Sequence, residues 1–146
     1  MRLTKRLYSQ LLSSPAYPPE TGGILGGNGE LAERCVRDIC TGEFDVYTPN
    51  TAYLNQAIAV WSKKGTLFMG VFHTHPEGCS ELSYADRRYI TAIMQVFDER
   101  RSLFFPIVIP QKEIIGFRAE KRDKIRILRD EIQIEQGGDR NGQQTE

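Results

Sequence analysis

The sequence predicts a single-domain α/β protein. Three segments carry the apolar spacing of helices, strand-like runs bounded by turn residues separate them, and 146 residues suit one hydrophobic core. A domain of this size buries roughly two thirds of the surface its unfolded chain exposes, so it needs no covalent staples. The cysteines agree. Cys35, Cys40 and Cys79 cannot close a disulfide framework and show no paired Cys-x-x-Cys zinc spacing. Cys35 and Cys40 are five apart in what reads as a strand, so they should face opposite ways, as core or surface thiols rather than ligands.

Leu3, Leu7, Leu11 and Leu12 predict a short amphipathic helix over 3–12, ending before Ser13-Ser14-Pro15. A proline-rich connector, Pro15 to Pro19, then delivers Glu20 to a glycine-dense strand, Thr21 to Gly27, whose small residues permit close backbone approach. A phosphate-binding loop is excluded there, because neither Gly-Lys-Ser/Thr nor the Gly-x-Gly-x-x-Gly order is present. Leu31 to Cys40 and Glu43 to Tyr47 read as strands. Thr48-Pro49-Asn50-Thr51 carries turn and capping chemistry that opens a helix, in which Leu54, Ala57, Ile58 and Trp61 recur at helical spacing. Lys63-Lys64-Gly65 closes it.

Thr66 to Phe72 is an apolar, turn-bounded run that reads as a buried strand leading directly into His73. Ser83 to Arg100 reads as a long helix with Tyr89 or Ile90, Ile93, and Val96 or Phe97 on its inner stripe. Leu103 to Ile109 and Glu113 to Ala119 follow as strands. Over Lys124 to Glu135 a helix competes with two short alternating strands, and the pairs Ile125/Ile127 and Ile132/Ile134 favour strands. The folded domain is expected over 1–136, with a disordered polar tail over 137–146.

Charge narrows the function. The 19 Lys and Arg balance the 19 Asp and Glu, which removes the simplest electrostatic argument for a nucleic-acid or membrane-surface partner. The cationic cluster from Lys121 to Arg129 is interleaved with acids and reads as a solvated hairpin. No apolar run approaches the roughly 20 residues of a membrane span, and the start lacks an uninterrupted signal-peptide core. A soluble cytoplasmic protein is expected.

The chemistry concentrates at His73 and His75, the chain's two histidines, in Phe72-His73-Thr74-His75-Pro76. Side chains two apart on an extended segment share a face, so two imidazoles leaving a strand can converge on one ion. Zinc suits them. Ser83 and Asp86 have an ordinary explanation as a helix N-cap with an acidic first turn. Asp86 can also return its carboxylate to the two histidines, which makes three protein ligands and leaves a fourth position for water, the pattern of a catalytic zinc site. Zinc lowers the pKa of bound water to about 7, yet amide hydrolysis still needs a base and then an acid for the departing amine. Glu20, after its rigid proline segment, is the carboxylate best placed for that work, although a surface role would also suit a lone glutamate. The Ser83 hydroxyl can hydrogen-bond the oxyanion that forms when water adds to a carbonyl.

Glu20, then His73-Thr74-His75-Pro76, then Ser83-Tyr84-Ala85-Asp86 resembles the JAMM motif of the MPN+ metalloprotease family at every motif position, with Glu-Thr-Gly-Gly around the glutamate. The resemblance spans Glu20 to Asp86, and the order of elements is compatible with it over about 3–135. It implies the MPN fold, a curved mixed β-sheet packed between helices and related to the cytidine deaminase fold. It also implies a zinc isopeptidase or peptidase that cuts after the C-terminal glycine of a ubiquitin-like protein. Residue by residue, it makes His73, His75 and Asp86 zinc ligands, Glu20 the general acid and base, and Ser83 the stabiliser of the tetrahedral intermediate. The implied partner is a ubiquitin-like or sulfur-carrier protein, and a homodimer is compatible with the sequence. The competing readings are a non-catalytic MPN-type scaffold or binding module and a RadC-like DNA-linked protein, against which the neutral charge argues. Cys79, between His75 and Asp86, is close enough in sequence to touch the metal or to be an incidental loop thiol.

Overall fold

The computed structural model describes residues 1–17, 19–39, 47, 49–97 and 102–136. In chain order these form β1 (Arg2–Thr4), α1 (Lys5–Leu12), β2 (Gly22–Gly27), β3 (Leu31–Arg37), α2 (Thr51–Lys63), β4 (Leu67–Thr74), α3 (Tyr84–Val96), β5 (Ser102–Phe104), β6 (Ile107–Ile109), β7 (Glu113–Ile115), β8 (Phe117–Lys121), β9 (Ile125–Arg129) and β10 (Gln133–Glu135). The strands make one curled, mixed sheet ordered β10-β1-β3-β2-β4-β5-β8-β9, with β6 pairing β4 and β7 pairing β6. Pairing is parallel where β1 meets β10 and β3, and where β4 meets β5 and β6. This is the α/β architecture the sequence predicts.

Helices cover both faces. Leu7 and Leu11 of α1 are fully buried with Leu3, Leu25, Met69, Phe72 and Val108 in one apolar cluster. On the other face, Leu54 and Trp61 of α2 and Ile90 and Met94 of α3 pack with Ile24, Phe68, Val71, Leu103 and Phe117. Each fully buried Leu, Ile or Met contributes about 1.5–3 kcal/mol through apolar area removed from water. Between α2 and α3 lies an apolar groove of about 450 Å³ whose lining includes Leu54, Ile58, Phe68, Tyr89, Ile93 and Phe97.

Several expected boundaries shift for physical reasons. Leu3 lies in a strand and not in the helix: Arg2–Thr4 hydrogen-bonds between β10 and β3, and the Thr4 hydroxyl caps α1 by accepting the Leu7 N–H at 3.1 Å. Leu3 matched the helical spacing because it enters the same core as Leu7. The run over 103–109 is split into β5 and β6 around Phe105 and Pro106, since Pro106 has no N–H for a ladder while its carbonyl accepts from His73 N at 3.3 Å. The run over 113–119 splits at Gly116, whose carbonyl accepts the Asp130 N–H at 3.0 Å.

The strand from Leu31 runs to Arg37, three residues short of the expected end, and the Asp38 N–H adds one more rung to β2 by donating to the Gly22 carbonyl at 2.8 Å. Cys40, the run over 43–46, the expected helical end over 98–100 and the tail over 137–146 lie outside the described residues, while Tyr47 is described and is not in a strand. At the C-cap of α3 it is Phe97, stacked on Phe68 at 4.8 Å, that turns inward, whereas Val96 is exposed. The two short strands over 125–135 and the solvated β8–β9 hairpin are as expected.

The phase of β4 decides where the histidines point. Leu25 pairs with Gly70 and Gly26 with Phe68, so Met69 is an extra residue and the strand carries a bulge. Phe68 and Val71 then face α2 and α3, while Met69 and Phe72 face α1. Continuing the alternation, His73 and His75 share the face of Val71, towards α3.

Candidate metal centre

The end of β4 is held on both sides. Towards β2, Thr74 N–H donates to the Thr21 carbonyl and Thr21 N–H donates to Thr74 Oγ1, each at 2.8 Å. Towards β6, His73 pairs with Ile107, and the His75 N–H donates to the Val108 carbonyl at 3.0 Å. Gly22 pairs with His73, which puts Glu20, two residues earlier, beside His75. The glycine-dense strand has a steric reason here: a Cβ on Gly22 would lie 2.6 Å from the Phe72 carbonyl and from the Tyr47 ring. Tyr47 occupies that space. Its N–H donates to Glu20 Oε1 at 3.1 Å, and its ring stacks on His73 with centroids 6.4 Å apart.

The third element is the α3 N-terminus. Ser83 Oγ accepts the Asp86 N–H at 3.0 Å, and Asp86 Oδ2 accepts the Ser83 N–H at 2.8 Å, a reciprocal capping box. The same Oδ2 lies 3.2 Å from His73 Nε2 and 3.1 Å from His75 Nε2, and the two Nε2 atoms are 2.9 Å apart. Nitrogens and oxygens about 2.0–2.1 Å from a tetrahedral zinc stand roughly 3.3 Å from one another, so these three atoms match one face of that tetrahedron, slightly contracted. Glu20, His73 and His75 are all buried, and their ligand atoms lie within 4.8 Å of one another, so this group can hold a metal ion.

Each imidazole is oriented by its other nitrogen. His75 Nδ1 lies 3.0 Å from the Cys79 carbonyl, and His73 Nδ1 lies 3.2 Å from the Tyr89 hydroxyl. Burial pushes the His73 pKa down against the pull of Asp86, which favours the neutral, ligating form. For His75, burial is outweighed by the hydrogen bonds to Asp86 and the Cys79 carbonyl and by the charges of Asp86 and Glu20, and its pKa rises. Burial opposes ionisation of Asp86, yet its bonds to His73, His75 and the Ser83 N–H hold its carboxyl far below the usual carboxylate range. A raised histidine pKa contributes stability that is complete below its unfolded value, near 6.5, and is lost as pH rises through the folded value. In metal-free protein, the stability advantage of wild type over His75→Gln should therefore shrink from pH 6 to pH 9, measured by urea unfolding. An advantage that grows with pH would contradict the His75–Asp86 pairing.

The structure brings together Glu20, His73, His75, Ser83 and Asp86, the five residues the sequence singles out. Ser83 sits at the exposed mouth, and the other four are buried. Glu20 is not a surface residue. The Cys79 side chain is exposed, and the contribution of this residue is its carbonyl. Sequence reasoning missed Tyr47 and offered Tyr89 only as an alternative to Ile90 on the inner stripe of the helix. The one available signal for Tyr89 is its place three residues after Asp86, on the same helix face.

Comparison with known proteins agrees with this architecture. A family model for prokaryotic homologues of the JAB domain matches residues 3–122. No curated protein matches the chain. Among solved structures, protein DSY2949 from Desulfitobacterium hafniense is 23% identical, with 92% of each chain covered and a TM-score of 0.67. A protein from Salinibacter ruber is 18% identical over 92% of each chain, with a TM-score of 0.60. AF2198, a JAB1/MPN domain protein from Archaeoglobus fulgidus, is 14% identical, covering 92% of this chain and 98% of its own, with a TM-score of 0.50. At such identities these likenesses speak for the fold, and the family model, which spans most of the sequence, settles the membership: the chain belongs to the prokaryotic homologues of the JAB domain.

Proposed function

We propose that the protein is a cytoplasmic zinc-dependent isopeptidase or peptidase that hydrolyses the bond after the C-terminal glycine of a ubiquitin-like or sulfur-carrier protein. The observation that carries the reading is the donor triangle of His73 Nε2, His75 Nε2 and Asp86 Oδ2 with the buried Glu20 carboxylate beside it. The substrate class rests on the resemblance of these residues to the JAMM motif.

His73, His75 and Asp86 would hold zinc, which supplies Lewis acidity to the hydrolysis. Glu20 takes a proton from the attacking water at a carboxylate oxygen and returns it to the departing amine nitrogen. Ser83 Oγ already accepts from Asp86 N–H, which leaves its own O–H to donate to the oxyanion of the tetrahedral carbonyl carbon. The Tyr47 N–H holds Glu20 Oε1, fixing the carboxylate without neutralising it. Among the described residues no helix is long and apolar enough to cross a membrane, and the formal net charge of zero gives no support to a nucleic-acid partner.

The test is cleavage of linear fusions in which the ubiquitin-like proteins encoded beside this gene precede a reporter. Cutting should occur after the terminal glycine, stop with chelator and return with added zinc. Zinc binding without cleavage of any such fusion would favour the scaffold reading. Neighbouring activating and conjugating enzymes would indicate deconjugation, and sulfur-transfer genes would indicate precursor processing.

A further inference from the structure

The two histidines are supported asymmetrically. The partner of His75 Nδ1 is the Cys79 carbonyl, which can only accept, so that nitrogen carries a proton. The partner of His73 Nδ1 is the Tyr89 hydroxyl at 3.2 Å, which can donate or accept. His73 is fully buried, so an unpaired Nδ1 would have no water to turn to.

A metal at the donor triangle needs a lone pair on His73 Nε2, which puts the ring proton on Nδ1. Tyr89 Oη, 3.2 Å from that nitrogen, must then accept it.

We propose that the Tyr89 hydroxyl is the positioning group of the metal centre: by accepting from His73 Nδ1 it fixes the ring orientation and the tautomer that presents the Nε2 lone pair to a metal. This rests on the reading of His73, His75 and Asp86 as metal ligands. The tyrosine ring belongs to the apolar floor of the α2–α3 groove, so Tyr89→Phe preserves the packing and removes only the hydroxyl. Losing such an outer partner typically costs 10–100-fold in metal affinity.

Zinc affinity measured by competition with a chromophoric chelator should therefore fall about 10–100-fold in Tyr89→Phe. In the zinc-loaded wild type, nitrogen-detected NMR of the imidazoles should show His73 protonated at Nδ1. Equal zinc affinity in the variant would overturn the positioning role while leaving the ligand set intact. Wild-type protein that takes up no zinc would instead overturn the ligand set, and the positioning role with it.

Discussion

Glu20→Gln should cut hydrolysis by about 10²–10⁴-fold, the usual contribution of a positioned general acid–base, while the protein keeps its fold and its zinc. Glutamine retains an oxygen for the Tyr47 N–H and nearly the same volume, so the wall it builds with Tyr47 and His73 survives. It cannot take up a proton. Glu20 and Asp86 both approach the histidines, which makes zinc content the deciding measurement. Asp86 Oδ2 lies 3.1–3.2 Å from both Nε2 atoms, whereas the Glu20 ligand atom lies within 4.8 Å of its histidine partners. Asp86→Asn should therefore lose metal, and Glu20→Gln should not. Single-turnover cleavage with metal analysis separates the two roles. If Glu20→Gln loses zinc together with activity, Glu20 is a ligand and the base must be sought elsewhere.

What the sequence revealed of this site follows from how each residue contributes. His73, His75, Ser83 and Asp86 act through side chains at short, fixed spacing, so one strand end and one helix start bring them together, and both could be read from local pattern. Glu20 was harder, because its burial depends on Tyr47 and on pairing between β2 and β4. Cys79 contributes a carbonyl, which every residue type offers, so composition carries no trace of that role. Of Tyr89 and Ile90, the two choices for the inner stripe, Ile90 is the fully buried one, and the hydroxyl of the half-buried Tyr89 finds its partner on a distant strand. In the fold, most element types were legible from periodicity, although β1 was read as the first turn of α1. The breaks around Pro106 and at Gly116 were not, because they answer to backbone partners on other elements, His73 and Asp130. The phase of β4 was also hidden, since Phe68 to Phe72 is apolar towards both helix layers apart from Gly70 and shows no alternation to count.

That hidden phase sets the second large effect. Gly70→Ala should destabilise the protein by about 4 kcal/mol or more, combining a backbone clash with an unfavourable dihedral. A Cβ there would stand 1.8 Å from the Phe104 carbonyl oxygen, with φ at +153°, and its neighbour is β5 backbone that cannot rotate away. Gly65 provides the control: its φ is +81° but nothing lies within 4 Å of the added Cβ, so Gly65→Ala should cost only about 1 kcal/mol of dihedral strain. Gly70 also sits at the bulge that turns His73 and His75 towards α3. A chain that relieves the clash by shifting β4 one residue would send both imidazoles to the α1 face, away from Asp86 and Tyr89. Any Gly70→Ala protein that remains folded should therefore bind zinc far more weakly than Gly65→Ala at equal occupancy of the native state. Urea unfolding and zinc titration on the two variants distinguish these outcomes, and wild-type zinc affinity in folded Gly70→Ala would show that the bulge does not set the histidine phase.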